Sequence, residues 1–206
     1  MKAIRLTILV IIMLIAINVQ AADWELEPRI NFMVYDSQEI RASNALELRI
    51  HHKDLFIAIE QENFRYHAMD MNLKSFGAGA KTEIWPDLFL WLKVAYYMPS
   101  DDGRMPDEAG YYFMNRQWAW IGGVTSFDNY EVIMDKAFGG SVGLDYNKRI
   151  WGQTYLGIGA AYRYLRVNER YNAWDNGGAP GVTGWLYERE GDFNAFVGTL
   201  FLKWEF

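Results

Sequence analysis

The chain has no cysteine among its 206 residues. That absence excludes disulfide staples and thiolate zinc sites together, so the fold must be stabilised by other means. Positive charge is also scarce: 20 Lys and Arg stand against 26 Asp and Glu, a formal charge of −6. A surface of that balance cannot hold nucleic acid by counterion release, and no local basic cluster is visible for any other anionic partner. Histidine occurs three times, as His51, His52 and His67, so metal and acid–base sites can be checked almost exhaustively. No Gly-rich phosphate loop follows a strand pattern, no repeat of 20–50 residues recurs, and no low-complexity linker divides the chain. After the first 21 residues, no stretch is long and apolar enough for a spanning helix.

The N-terminus supplies the one long apolar run. Lys2 and Arg5 precede a charge-free segment from Leu6 to Ile17, and Val19-Gln20-Ala21 follows as a small-residue cleavage site. This is the layout of a secretory signal peptide, and its core is shorter than the roughly 20 residues a membrane helix needs. An uncleaved anchor is the competing reading. The expectation is a signal peptide over 1–21 and one domain over 22–206. Loss of Lys2 and Arg5 takes two positive charges from a chain already at −6, leaving −8.

The last segment carries the main structural signal. From Gly191 to Phe206 one face reads Phe196, Gly198, Leu200, Leu202, Trp204, Phe206, and the other reads Ala195, Val197, Thr199, Phe201, Lys203, Glu205. Strand side chains alternate with a period of two, so this is a strand with one apolar face that ends on an aromatic residue. Aromatics make up 17% of the chain, with 9 Trp and 13 Tyr, which suits two interfacial girdles. Three polar connections, His51-His52-Lys53-Asp54, Trp85-Pro86-Asp87 and Asn147-Lys148-Arg149 on to Gly152, join alternating segments as short turns.

These features predict an all-β, eight-stranded antiparallel transmembrane barrel. Its strands fall near 24–35, 43–51, 54–66, 71–84, 88–98, 135–146, 152–167 and 190–206. The outer connections fall near 36–42, 67–70, 99–134 and 168–189. Within the long third connection, Gln117 to Thr125 is apolar, which leaves ten strands as the alternative. The mature chain resembles the class of small Gram-negative outer-membrane barrels that includes the OmpA transmembrane domain, OmpX and OmpW. The resemblance rests on the signal peptide, the aromatics, the short turns and the terminal Leu202-Lys203-Trp204-Glu205-Phe206. It implies an outer-membrane location in the cell envelope, contact with membrane lipid and lipopolysaccharide, and recognition by the barrel assembly machinery through the strand ending at Phe206. With the chain ending on that last strand, no OmpA-like periplasmic domain is expected. It identifies an architecture rather than a member.

Assigning faces gives an outward set of Ile30, Phe32, Val34, Leu46, Leu48, Ile50, Leu55, Ile57, Ile59, Leu88, Leu90, Leu92, Val94, Val142, Leu144, Leu156 and Ile158. The inward set contains Glu27, Arg29, Glu47, Arg49, Glu60, Lys81, Glu83, Lys93, Asp145, Arg163, Lys203 and Glu205. Arg or Lys on the lipid face near midplane would cost roughly 2–4 kcal/mol, whereas inward they can pair. Eight strands leave an interior that side chains nearly fill. One reading is an ion-pair network that plugs the lumen. The other is a gate in which pairs such as Arg49 and Glu205 exchange partners. Toward the outer end the inward positions are less charged: Met33, Tyr35, Tyr97, Leu165, Val197 and Phe193. Small residues (Gly77, Gly79, Gly139, Ser141, Gly143, Gly157, Gly159) also line the inner face. They either make room for Arg163, Trp91 and Phe89 or leave an apolar pocket for an acyl chain.

Candidate chemistry is sparse. His51 and His52 are placed in a turn, pointing to opposite sides, which makes a poor chelating pair. His67 sits at the predicted outer rim near Asp70, where Ser100, Asp101 and Asp102 could approach. A histidine, a hydroxyl and a carboxylate are the minimum for acyl transfer. The outer-membrane palmitoyltransferases use such a set at the rim of an eight-stranded barrel, but this chain lacks their amphipathic N-terminal helix and local motifs. It also lacks the His-x-Ser arrangement of the lipid A deacylases. Asp101, Asp102, Asp107 and Glu108 lack calcium-loop spacing, so no metal or other cofactor is expected. Three functions follow. The first is a non-enzymatic barrel with a largely plugged lumen, acting through outer loops or by supporting the envelope. Tyr111, Tyr112, Phe113, Trp118 and Trp120 are its candidate contact surface. The second is a narrow pore or OmpW-like hydrophobic conduit, and the third is a rim-located lipid-modifying enzyme.

Overall fold

A computed structural model of the chain describes residues 23–36, 40, 42–66, 69–99, 129–174 and 185–206. Every regular element among them is a strand. In chain order these are β1 (Trp24–Tyr35), β2 (Ala42–His52), β3 (Leu55–Tyr66), β4 (Met69–Trp85), β5 (Leu88–Pro99), β6 (Asn129–Met134), β7 (Ala137–Trp151), β8 (Thr154–Trp174), β9 (Trp185–Asp192) and β10 (Ala195–Glu205). Eight of them pair antiparallel in the order β10-β1-β2-β3-β4-β5-β7-β8, and β8 pairs back onto β10. The sheet closes. No edge is left in the ring, so every central strand has a partner on both sides.

Alternation explains why these segments became barrel strands. Along β5, Trp91, Lys93, Ala95 and Tyr97 are buried while Leu90, Leu92 and Val94 are exposed. The outward residues expected from the sequence are all exposed or half-buried, so an apolar band encircles the ring. Aromatics flank it. Trp85, Trp151 and Phe206 lie outward at the end holding the short turns, and Phe138 and Tyr164 lie outward toward the other. We call these the turn end and the loop end.

The short turns begin one to five residues later than the sequence suggests. The first is Lys53-Asp54, with Lys53 at φ 56°, and the second is Pro86-Asp87, with Asp87 at φ 68°. The third is Gly152-Gln153, with Gly152 at φ 53°. That left-handed conformation costs glycine nothing. His51 and His52 therefore belong to β2, not to a turn, and Asn147–Arg149 belong to β7. The ladder simply runs past the apolar band into polar sequence.

The loop end differs more. Residues 129–134, 168–174 and 185–189, expected in outer connections, are strand. β8 continues to Trp174, with β6 paired along one side and β9 along the other. The result is a three-stranded extension standing beyond the ring. β6 and β9 lead into β7 and β10 across two-residue breaks at 135–136 and 193–194. Among the described residues there are thus ten strands, of which eight close the barrel. Gln117–Thr125 lies outside the described residues.

Candidate functional site: the charged interior

Odd-numbered positions of β1, β2, β7, β8 and β10 and even-numbered ones of β3 face inward, which brings residues from across the chain into one column. Among the described residues, the buried cations Arg29, Arg49, Lys93, Arg163 and Lys203 share the ring interior with the buried carboxylates Glu27, Glu47, Glu60, Glu62 and Asp145, while the buried Glu169 lies on the extension of β8. Buried charges are tolerated only when paired, and the pairing here is dense.

The middle tier is built on Arg29. Its Nη1 donates to Glu27 at 2.6 Å, and its two Nη atoms clasp Asp145 at 2.6 and 2.8 Å across the lumen. Such a two-pronged pair fixes geometry as well as charge. Gly159 makes it fit: a Cβ there would strike the Asp145 carboxylate. Arg49 donates to Glu47 at 3.0 Å, and Lys93 bridges Glu47 at 2.9 Å and Glu60 at 2.7 Å. Asn31 donates to the same Glu47 at 2.9 Å and accepts from Thr199 at 2.8 Å.

Aromatic rings hold the guanidinium planes between them. Arg49 lies 4.0 Å from the Trp91 centroid and 4.7 Å from Phe56, and Arg29 lies 4.6 Å from Phe201. These rings need glycine opposite. Gly143 accepts Trp91, Gly157 accepts Phe201, and Gly79 accepts Phe56. The strand glycines thus serve ring packing, for Trp91 as the sequence suggests, and for Phe56 and Phe201 rather than Phe89 and Arg163.

Toward the loop end, Arg163 donates to Glu62 at 2.6 Å and to the Tyr35 hydroxyl at 2.9 Å. Tyr35 and Ser43 also donate to Glu62. Met33, Tyr97, Leu165 and Phe193 are buried around this tier and Val197 is half-buried. The outer half is therefore less charged but not apolar. At the turn end Lys203 donates to Glu205 at 2.9 Å and Glu25 at 3.2 Å, Lys81 pairs with Glu25, and Tyr155 donates to Glu205 at 2.9 Å. Between the middle and upper tiers lies a cavity of about 10 Å³, lined by residues including Asn31, Glu47, Trp91, Lys93 and Arg163. That is room for about one water molecule.

No protein-family model matches the chain, and no curated protein matches it in sequence. Among solved structures it is similar to the outer membrane protein OprG from Pseudomonas aeruginosa, with TM-score 0.55 at 8% identity over 91% of this chain and 97% of that one. It is also similar to Neisserial surface protein A, with TM-score 0.50 at 12% identity over 91% of this chain and 100% of that one. The chain has the fold of an outer-membrane β-barrel. Identities so low carry architecture and nothing finer.

Within the barrel, the expected interior residues divide as follows. Glu27, Arg29, Glu47, Arg49, Glu60, Lys93, Asp145, Arg163 and Lys203 are buried, and Lys81 and Glu205 are half-buried at the turn end. Glu83 is exposed instead: it accepts from the Asp87 backbone N at 3.1 Å beside the turn. Arg49 and Glu205 do not pair. Arg49 meets Glu47 and, at 3.7 Å, Asp145, whereas Glu205 belongs to the turn-end tier. Glu62 and His51 were missed. Glu62 follows Glu60 by one strand period, and His51 follows Glu47 and Arg49 in phase, so alternation alone would have found both. His51 is buried 3.5 Å from Glu27, while His52 lies outward with its ring centroid 4.8 Å from Trp24. Among the described residues no group of three His, Asp or Glu side chains is placed to hold a metal ion. His67, Ser100, Asp101, Asp102, Asp107, Glu108, Tyr111, Tyr112, Phe113, Trp118 and Trp120 lie outside the described residues, as does the side chain of Asp70.

Proposed function

We propose that this chain is an exported outer-membrane barrel, released from a signal peptide over 1–21, whose lumen is closed by the ion network and which acts through its loop end rather than by conduction or catalysis. The observation that carries the reading is the middle tier. Arg29, Arg49 and Lys93 with Glu27, Glu47, Glu60 and Asp145 cross the lumen in one connected set, and a cavity of about 10 Å³ lies beside it. A hydrated ion path needs a continuous file of water, and these side chains occupy that volume. The outward apolar band and its aromatic flanks support the membrane location. The extension formed by β6, β8 and β9 supports the loop end as the working surface, because it carries chain beyond what spanning requires.

Two measurements test this. Density-gradient fractionation of cells expressing the chain is expected to place it in the outer-membrane fraction, migrating differently on gels before and after heating. Recovery in the inner membrane would contradict the location. Vesicles holding the inserted protein are expected to retain a small trapped solute as long as empty vesicles do, and rapid efflux would contradict closure.

A further inference from the structure

The outward surface at the loop end carries a positive patch that the linear sequence hides. Phe76, Tyr96 and Phe138 lie side by side on β4, β5 and β7, with the rings of Tyr96 and Phe138 4.9 Å apart. Two residues further toward the loop end lie Lys74 on β4, in register with Met98 on β5, and Lys136 at the junction of β6 and β7. Two strand spacings put the backbones of Lys74 and Lys136 about 10 Å apart. Both are exposed, and among the described residues neither is paired with a carboxylate. Gln61, facing Lys74 from β3, spends its amide on Asn72 at 3.4 Å and brings no charge.

The rest of that rim is different. Arg166 on β8 is already engaged, 3.1 Å from Asp192 and 3.6 Å from Glu190. On the far side of the ring Asp36, just past β1, accepts from the Tyr162 hydroxyl at 2.7 Å. Among the described residues, the rim over β4–β7 thus exposes Lys74 and Lys136, with Asp135 half-buried beside Lys136, and its exposed carboxylates Glu190, Asp192 and Asp36 lie over β9–β1, on a chain whose formal charge is −6.

We propose that Lys74 and Lys136 form a docking site for the phosphorylated headgroup of a membrane lipid. This rests on the outer-membrane reading above. The aromatic row marks where apolar chains give way to headgroups. Lysine stems can lie along that row while their ammonium groups reach the phosphate plane just above it. Continuity with the apolar band selects a lipid over a soluble anion, since the acyl chains would lie against Phe76, Val94 and Phe138.

The test uses the membrane-extracted full chain and native mass spectrometry, with bis-phosphorylated lipid A and its dephosphorylated counterpart as probes. Lys74→Gln and Lys136→Gln are each expected to weaken binding of the phosphorylated lipid about fivefold, and the double variant about 25-fold. Lys53→Gln at the turn end is expected to change nothing, and the dephosphorylated lipid to bind wild type and double variant alike. Wild-type affinity in the double variant would overturn the site. So would equal binding of both lipids to the wild type, and displacement by micromolar inorganic phosphate would overturn the lipid assignment. Heat-dependent migration of each sample reports the barrel separately. Its presence with unchanged lipid binding sinks only the docking site, and its absence in the wild type sinks the membrane reading.

Discussion

Arg29→Met is expected to lower the free energy of unfolding by about 3–5 kcal/mol, the range seen when one partner of a buried ion pair is removed. The side chain is wholly inaccessible and holds three carboxylate oxygens, one of Glu27 and both of Asp145. Methionine replaces the stem but leaves those oxygens in a site closed to bulk water. Their nearest substitutes are poor: Arg49 stands 3.7 Å from Asp145, and His51 stands 3.5 Å from Glu27. Removing the charges together should reverse most of the loss, so Glu27→Gln/Arg29→Met/Asp145→Leu is expected to lie within about 1 kcal/mol of wild type or above it. Urea unfolding in vesicles, followed by tryptophan fluorescence, checks both. A loss under about 1 kcal/mol in the single variant, the range of exposed pairs, would mean that water reaches the tier.

Trp91→Ala is the second large effect, at about 3–5 kcal/mol. The indole covers the Arg49 guanidinium at 4.0 Å, meets Phe56 edge-on and borders the small lumen cavity. Its space exists because β7 offers Gly143, where a Cβ would come within 2.5 Å of the ring. Gly143→Ala alone is therefore expected to cost about 1–3 kcal/mol by overpacking. In the Trp91→Ala background the clash with the ring is gone and only the contact with the Ala161 Cβ, at 2.7 Å, remains, so the same methyl is expected to cost less than in the wild type. A double-mutant cycle reads the difference. Additive losses would mean that the ring does not rest against Gly143.

The local period of the sequence made the barrel legible. Leu88 to Val94 alternates so regularly that its faces are unambiguous, and the structure follows it. Boundaries were harder, because polarity marks the limit of an apolar band and not the end of a ladder. His51, His52 and Asn147–Arg149 are polar yet still strand. The same confusion hid the extension, where β8 runs 21 residues to Trp174 through Asn168, Glu169 and Arg170. Partners inside the lumen were not legible. Face assignment puts Arg29 and Asp145 inward, but their meeting depends on the stagger of β1 against β7 across the ring, which no local pattern encodes. The proposed pairing of Arg49 with Glu205 failed for that reason. The Lys74–Lys136 patch was invisible for a related one, since 62 positions separate residues that register sets two strands apart.

Whether the interior is closed decides between a plugged barrel and a narrow pore. The measurement is single-channel current across a planar bilayer holding the wild-type protein, with insertion verified by heat-dependent migration of the recovered sample. A silent baseline is expected in the wild type, with the proposed plug built on the Arg29–Asp145 and Lys93–Glu47–Glu60 links. Stable, discrete openings in the inserted wild-type protein would contradict it and make the same charges the lining of a narrow pore.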